Sequence, residues 1–262
     1  MFSFIKLTPA HLSALQPLLA TQVVEREYLP KAFIIGGEAL QAHHISTWRE
    51  QYPEVKLFNE YGPTEAVVGC CVHQVTEKDN GNIPIGRPIN GTQLYVLDEG
   101  QQPAATGVPG ELYIGGAGVA RGYLNHPELT AERFVVDTFF GGETLYKTGD
   151  LVTYRSDGTL EYLGRIDSQI KLRGFRIEPG EIENVLCQHE LVDRAVVVVK
   201  EKGRQRELIA YVTATADRLH ADRLHLEEAL HQQLAQALPS YMVPAHIVVL
   251  EALPRTVNGK ID

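Results

Sequence analysis

Tyr61-Gly62-Pro63-Thr64-Glu65 puts an aromatic ring, a hydroxyl and a carboxylate within five residues, and Pro63 pre-sets the turn that carries them. A tyrosine ring offers a purine a stacking face. The Thr64 hydroxyl suits a phosphate oxygen, and Glu65 is a hard oxygen ligand of the kind Mg²⁺ takes. The same residues also make an ordinary loop in which Tyr61 packs and Glu65 faces water. Asp150 closes Lys147-Thr148-Gly149, read as a turn, where a carboxylate can accept from both hydroxyls of a ribose, as acidic residues do in dinucleotide folds. A plain β-turn aspartate is the competing reading. Arg165 has the reach for a ribose or phosphate and Tyr162 for the flank of a purine, against a solvated hairpin face. Lys171-Leu172-Arg173-Gly174-Phe175-Arg176 is basic and broken by a glycine, which by charge alone is a solvated strand face. Lys260 stands two residues from the last one, where position alone favours a solvated tail.

The elements that must carry these groups follow from pattern. Thr8-Pro9 reads as a helix start, with Leu12, Leu15, Leu18 and Leu19 along one face. Residues 32–35 form a short apolar strand closed by Gly36-Gly37, 38–51 a helix, and 55–58 a strand running into the Tyr61 turn. Strand, helix and strand with short links predict a parallel βαβ unit. Ligands of such sheets sit beyond the carboxyl ends of the strands, where Gly36-Gly37 and Tyr61 both fall. Residues 83–164 change character. Short strands at 92–97, 111–114, 151–154 and 160–163, with a hairpin turn at Ser156-Asp157-Gly158-Thr159, predict a small antiparallel barrel or sheet. The glycines from Gly107 to Gly122 lack a Gly-Lys-Ser/Thr and a following helix, so they read as barrel turns and not as a phosphate loop. Beyond Asp167, helices at 179–189 and 222–237 and strands at 195–199, 208–212 and 246–250 predict a compact α+β unit.

Composition narrows the partners. Of 262 residues 44% are hydrophobic, enough for a buried core, and the formal charge of −9 argues against non-specific nucleic-acid binding. No apolar run approaches a membrane span, and the first residues lack the basic start and apolar stretch of a signal peptide. Three cysteines, two of them adjacent, give neither a disulfide framework nor a zinc site, and the ten histidines show no metal-ligand spacing. A cytoplasmic protein with reduced thiols is the expectation.

In order along the chain stand Asn59-Glu60-Tyr61-Gly62-Pro63-Thr64-Glu65, Gly110-Glu111-Leu112-Tyr113, Tyr146-Lys147-Thr148-Gly149-Asp150-Leu151, Gly164-Arg165-Ile166-Asp167 and Asn258-Gly259-Lys260. Each alone is a turn with polar residues. The ordered set resembles the C-terminal half of an amino-acid adenylation domain from a nonribosomal peptide synthetase, within the adenylate-forming superfamily, and the resemblance covers essentially the whole chain. It implies α/β and α+β architecture: residues 1–80 as part of a parallel α/β subdomain, 81–167 as a β-rich subdomain, and 168–262 as the C-terminal domain. It implies ATP and Mg²⁺, an amino-acid substrate, and a phosphopantetheinylated carrier protein as partner. By the same resemblance Gly37, Glu38, Asn59, Tyr61, Gly62, Thr64, Asp150, Tyr162, Arg165 and Lys171 face the nucleotide and Glu65 the metal. Lys260 bridges carboxylate and α-phosphate, catalysing with Thr64 and Glu65, and Asp167 is a hinge. The family's phosphate loop and amine-anchoring aspartate belong to an N-terminal half outside this chain, so the chain alone is expected to be inactive.

Alignment to the family's side-chain pocket selects Lys6, Ile34, Gly36, Glu60, Val68 and Gly69. A Lys6–Glu60 pair among small and apolar residues suits a carboxamide, its oxygen toward Lys6 and its NH₂ toward Glu60, which implies an asparagine-like substrate. The alternative is that Lys6 extends to solvent and Glu60 merely flanks the turn. A stand-alone acyl-CoA ligase, a non-catalytic interaction module and an inert fragment remain as other readings of the chain. The first is weakened by the Asn59–Glu65 and Asn258–Asp262 segments, which resemble the peptide-synthetase branch.

Overall fold

A computed structural model describes residues 2–21, 25–139, 141–202, 205–214 and 223–254. The chain divides into two compact units, Met1–Asp167 and Ser168–Asp262.

In the first unit, strands β1 (Ile5–Leu7), β2 (Ala32–Ile35) and β3 (Lys56–Tyr61) run parallel. Helices α1 (Pro9–Thr21) and α2 (Ala42–Gln51) form the crossovers. The chain then turns back through β4 (Cys71–Gln74) and β5 (Arg87–Pro88), both antiparallel. The βαβ unit therefore forms as its pattern predicts, and β1 extends it by a strand too short to show a period. Alternation along β2 and β3 buries Phe33, Ile35 and Leu57 against Leu12, Ile45 and Trp48 of the helices. Phe33 meets Trp48 edge-on at 4.6 Å. Two details of the helices differ from expectation. In α1, Leu12 and Leu19 are buried, whereas Leu15 and Leu18 are 36% and 58% exposed. Helix α2 starts at Ala42 and not at Glu38, because the carbonyl of Leu40 is spent on the Ile83 N–H at 2.9 Å and Gln41 bridges to Asn82. The His44 ring then caps the new start by accepting from the Gln41 N–H at 3.1 Å.

The second sheet of this unit is antiparallel, in the order β10 (Leu160–Arg165), β9 (Thr144–Tyr154), β7 (Gly110–Gly116) and β6 (Thr92–Leu97), with β8 (Phe134–Val136) also on β9. Helix α3 (Pro127–Arg133) precedes β8. The turn at 156–159 closes the β9–β10 hairpin, with Asp157 Oδ1 accepting from the Thr159 N–H at 2.9 Å. The expected turn at Lys147–Gly149 is instead the middle of an eleven-residue strand. Gly149 adopts φ 72° there, and the β7–β9 register slips between Glu111 and Tyr113. A bulge re-aims the strand without ending it.

In the second unit β13 (Val192–Lys202), β14 (Gln205–Ala214) and β15 (His246–Leu250) form one sheet. Strand β13 pairs antiparallel and β15 parallel to β14. Helices α4 (Pro179–Cys187) and α5 (Arg223–Ala237) complete a core that includes Ile182, Leu186, Val197, Val212, Leu230 and Leu234. Besides the expected strands there is a small hairpin, β11 (Ile170–Leu172) with β12 (Phe175–Ile177). Arg173 and Gly174 both take positive φ, 53° and 80°, as a two-residue hairpin turn requires. Among the described residues no helix is long and apolar enough to cross a membrane.

Candidate active site

Strand alternation sorts the residues at the carboxyl ends of β2 and β3 onto opposite faces. Lys6 pairs with Ile34, and Ile34 with Phe58, so Lys6, Ile34, Gly36 and Glu60 share one face. Asn59 and Tyr61 project to the other. On the first face the Lys6 ammonium donates directly to Glu60 Oε2, and its side chain is 47% exposed against 21% for Glu60. The two charges thus form a direct ion pair half open to solvent. The space beside the glycines is also taken. A β-carbon at Gly69 would lie 2.6 Å from Glu60 Oε1, and one at Gly36 would lie 2.8 Å from the Glu60 carbonyl oxygen. Gly69 accommodates the carboxylate of Glu60, and Gly36 its backbone. Gly37, at φ 87°, and Glu38 continue past the end of β2.

Val67 and Val68 follow the turn at φ 60° and 65°, a conformation that β-branched residues rarely take. The Gly69 N–H donates to the Val67 carbonyl at 2.7 Å, closing the positive-φ form of the γ-turn. Gly62 is required beneath it, since a β-carbon there would fall 2.4 Å from the Val68 carbonyl oxygen. Strain of this kind persists only where surrounding contacts impose it. Both valines are exposed, at 68% and 51%.

On the opposite face three distant segments converge. The Tyr61 hydroxyl donates to Asp150 Oδ2 at 2.5 Å. Arg165 Nη1 donates to Asp150 Oδ1 at 3.0 Å and to the Thr148 carbonyl at 2.9 Å. The remaining fork of Arg165 holds Asp167 bidentately, Nε to Oδ1 at 2.8 Å and Nη2 to Oδ2 at 2.6 Å. Asp150 is 1% exposed and the Arg165 side chain 9%. Burial and the adjacent Asp150 carboxylate push the Tyr61 phenol well above its ordinary range. Burial alone would lower the Arg165 pKa, but Asp167 and Asp150 outweigh it and drive the value up. The ring of Tyr162 lies 6.4 Å from that of Tyr61.

The bulge on β9 is what aims this cluster. The Thr148 hydroxyl donates to the Leu112 carbonyl at 2.7 Å and accepts from the Asp150 N–H at 2.9 Å. Glu111 Oε1 accepts from the Gly149 N–H at 3.0 Å. A β-carbon on Gly149 would sit 2.8 Å from both Arg165 Nη2 and Asp167 Oδ2, so the ion pair lies on a position only glycine can occupy.

Other expected site residues are placed separately. Asn59 is 2% exposed and donates to the carbonyls of Ile83 and Pro84 at 3.2 and 2.8 Å, anchoring that segment under the sheet. Thr64 is exposed. Glu65 is 8% exposed, and the Tyr123 hydroxyl donates to its Oε1 at 2.6 Å. Lys171 is in the second unit, on the β11–β12 hairpin opposite Arg176, and its carbonyl accepts from Arg206. Lys260 and its Asn258-Gly259 approach lie outside the described residues. Glu111 and Thr148 stood within motifs already singled out, but only the bulge reveals their work. Tyr123 gave no signal in the sequence.

No group of three or more metal-ligating side chains occurs among the described residues. Glu65 nevertheless fits Mg²⁺, which commonly takes one or two protein carboxylates together with substrate phosphates and water.

Two family models match the chain. The AMP-binding enzyme model matches residues 2–124, and the AMP-binding enzyme C-terminal domain model matches residues 181–260. The chain belongs to the AMP-binding enzymes. Within them it corresponds to the C-terminal part of an adenylation domain of the nonribosomal peptide synthetase type. It is 48% identical over 233 residues to tyrocidine synthase 3 of Brevibacillus parabrevis, covering 88% of this chain and 4% of that protein. It is 44% identical over 265 residues to bacitracin synthase 3 of Bacillus licheniformis, covering 98% of this chain and 4% of that one. Among solved structures it resembles holo-PA1221, an NRPS protein containing adenylation and PCP domains, at 31% identity and a TM-score of 0.84. That match covers 99% of this chain and 43% of the other. The chain thus spans only a small part of these two synthases and under half of that structure.

Proposed function

We propose that this chain carries the ribose-facing and metal-facing part of an amino-acid adenylating site. In the reaction an amino-acid carboxylate oxygen bonds to the α-phosphorus of ATP as the bond from that phosphorus to the α,β-bridging oxygen breaks. Aminoacyl-AMP and pyrophosphate result, and the acyl group then passes to the thiol of a carrier protein's phosphopantetheine. The convergence of Tyr61, Asp150 and Arg165 from three separate motifs carries this reading. Asp150 is the acceptor for ribose hydroxyls, and the Tyr61 hydroxyl now bonded to it gives way when they enter. The faces of Tyr61 and Tyr162 flank the purine, with Gly37, Glu38, Asn59 and Gly62 shaping the strand ends beneath. Thr64 meets a phosphate oxygen. Mg²⁺, when bound, offsets charge on the phosphates, and Glu65 is the residue that holds it. Lys260 places a cation between carboxylate and α-phosphate, stabilising charge that grows in the transition state. Lys171 faces the nucleotide, and the loop it opens, residues 171–176, meets the arriving pantetheine arm. A carrier domain in the same polypeptide as the adenylation domain of PA1221 supports that partner.

The side-chain pocket in this proposal is Lys6, Ile34, Gly36, Glu60, Val68 and Gly69. A carboxamide enters the Lys6–Glu60 ion pair by accepting from the ammonium and donating to the carboxylate, so neither charge is left without a partner. Aspartate sets a second carboxylate against Glu60, and leucine offers neither group.

The test is amino-acid-dependent pyrophosphate exchange over a panel of twenty amino acids. It is run on the chain alone and with an adenylation-domain N-terminal half supplied in trans or by fusion. Trace exchange alone, and exchange led by asparagine once completed, is expected. Lys260→Ala in the completed enzyme should lose about two to three orders of magnitude, the scale of one transition-state donor. Preference for an aliphatic or aromatic amino acid would overturn the pocket assignment, and robust exchange by the chain alone would overturn the need for a second half.

A further inference from the structure

Glu65, the carboxylate assigned to the metal, is held from a distant segment that none of the roles above uses. Residues 120–123 run along the turn that bears it. The Ala120 N–H donates to the Glu65 carbonyl at 2.8 Å, and the Tyr123 hydroxyl donates to Glu65 Oε1 at 2.6 Å. Backbone and side chain of one glutamate are therefore fixed by the same four residues.

Tyr123 is itself held on three sides. Its N–H donates to Thr130 Oγ1 at 2.9 Å, and that hydroxyl donates to the His126 carbonyl at 2.8 Å, tying Tyr123 to the start of α3. Gly122, at φ 142°, lets Thr130 approach so closely that a β-carbon would be 2.4 Å from it. The ring of Tyr123 meets Phe134 edge-on at 5.3 Å, and Phe134 rests on the fully buried Tyr146 at 5.2 Å. A ring braced in this way has little rotamer freedom, so the hydroxyl at its tip is a fixed point.

We propose that Tyr123 is the positioning residue for the Glu65 carboxylate, setting through the Oε1 bond the direction in which that carboxylate meets the divalent cation. The inference rests on Glu65 being the metal-holding residue. Outer-shell donors of this kind fix the orientation of a ligand before the metal arrives, and their removal commonly costs 10–100-fold in metal affinity or activity. A purely structural tyrosine would affect stability and leave metal dependence alone.

The experiment uses the completed adenylation domain with Mn²⁺ as the probe for Mg²⁺. It measures retained Mn²⁺ by paramagnetic resonance in the presence of a non-hydrolysable ATP analogue. In parallel, the Mg²⁺ concentration giving half-maximal exchange is measured. Tyr123→Phe keeps the ring and its packing and removes only the hydroxyl. It should weaken Mn²⁺ retention about tenfold and raise the half-maximal Mg²⁺ concentration by a similar factor, with much of the rate recovered at saturating Mg²⁺. Phe134→Leu loosens the same packing and keeps the hydroxyl, so it should lower the melting temperature and shift both metal readouts by clearly less than Tyr123→Phe does. Glu65→Gln separates the layers. If it leaves metal retention unchanged, the metal role of Glu65 itself fails. If Glu65→Gln abolishes retention while Tyr123→Phe leaves it at the wild-type value, the positioning role of Tyr123 is overturned and the metal role stands.

Discussion

Asp150 shows how one buried carboxylate is made tolerable. Its two oxygens accept from Tyr61 and Arg165, and Arg165 also holds Asp167, whose 31% exposed carboxylate leaves the trio's net negative charge on the solvent side. An unpaired carboxylate at 1% exposure would cost several kcal/mol or give up its charge. Asp150→Asn should therefore destabilise the first unit by about 2–3 kcal/mol. That is less than the ~3–5 kcal/mol of a severed buried pair, because Asp167 still holds the guanidinium. Urea unfolding of the chain reads this directly, and a change under about 0.5 kcal/mol, the range of ordinary surface substitutions, would show that the network contributes no net stability. Asp150 stood out in the sequence as a carboxylate in a motif. That it is shared with Tyr61, 89 positions away, did not, because the contact depends on how the two sheets meet and leaves no spacing signal.

The connection from β4 to β5 depends on a small polar clamp. Asp79 is 8% exposed, and its Oδ2 accepts from the Thr76 N–H at 2.6 Å, from the Thr76 hydroxyl at 2.9 Å and pairs with His73 Nε2 at 3.0 Å. Arg49 of α2 spans the same turn, donating to the carbonyls of Asp79 and Thr76 at 2.9 and 2.7 Å. Burial pushes the Asp79 carboxyl up, but the His73 and Thr76 hydrogen bonds outweigh it and leave its pKa below the ordinary value. A depressed folded pKa gives stability that is present above the unfolded value, about 3.9, and lost as pH falls through the folded one. Asp79→Asn should cost about 1–2 kcal/mol at neutral pH. The gap from wild type should shrink as pH drops below about 4. A gap unchanged down to the acid limit would mean that the ionised form does not matter. Elements with clean periodicity were legible beforehand: the apolar run of β2, the alternation in β3 and the Asp157-Gly158 turn. Others were hidden by backbone special cases. Gly149 at φ 72° imitates a turn inside β9, and a charged sequence with Arg173 at φ 53° conceals the β11–β12 hairpin. The first residues of the region read as α2 are diverted because their backbone groups pair with 81–83.

Each unit buries its own core, that of the second including Ile177, Ile182, Leu186, Leu230 and Val249. Covalent continuity passes from Asp167 to Ser168. Asp167 is bound through its side chain to Arg165 in the unit it closes, so the first backbone torsions available for reorientation begin at this residue. We propose it as the pivot between adenylation and thioester transfer. Asp167→Pro fixes φ there, while Asp167→Ala removes only the carboxylate. Measured against Asp167→Ala in the completed enzyme, the proline variant should slow one half-reaction about tenfold or more and leave the other within about twofold. Equal loss in both would argue against a pivot at this position.

The two glycines around Glu60 are closed in different ways, and this sets how the pocket can change. Position 36 faces the main chain of residue 60, so no exchange at 60 releases it. Position 69 is obstructed only by the Glu60 carboxylate and its stem. A larger residue at 69 needs the Glu60 side chain to swing aside, away from its pairing with Lys6, or position 60 to shorten. Position 60 therefore governs what position 69 can hold, whereas position 36 is closed whatever stands at 60.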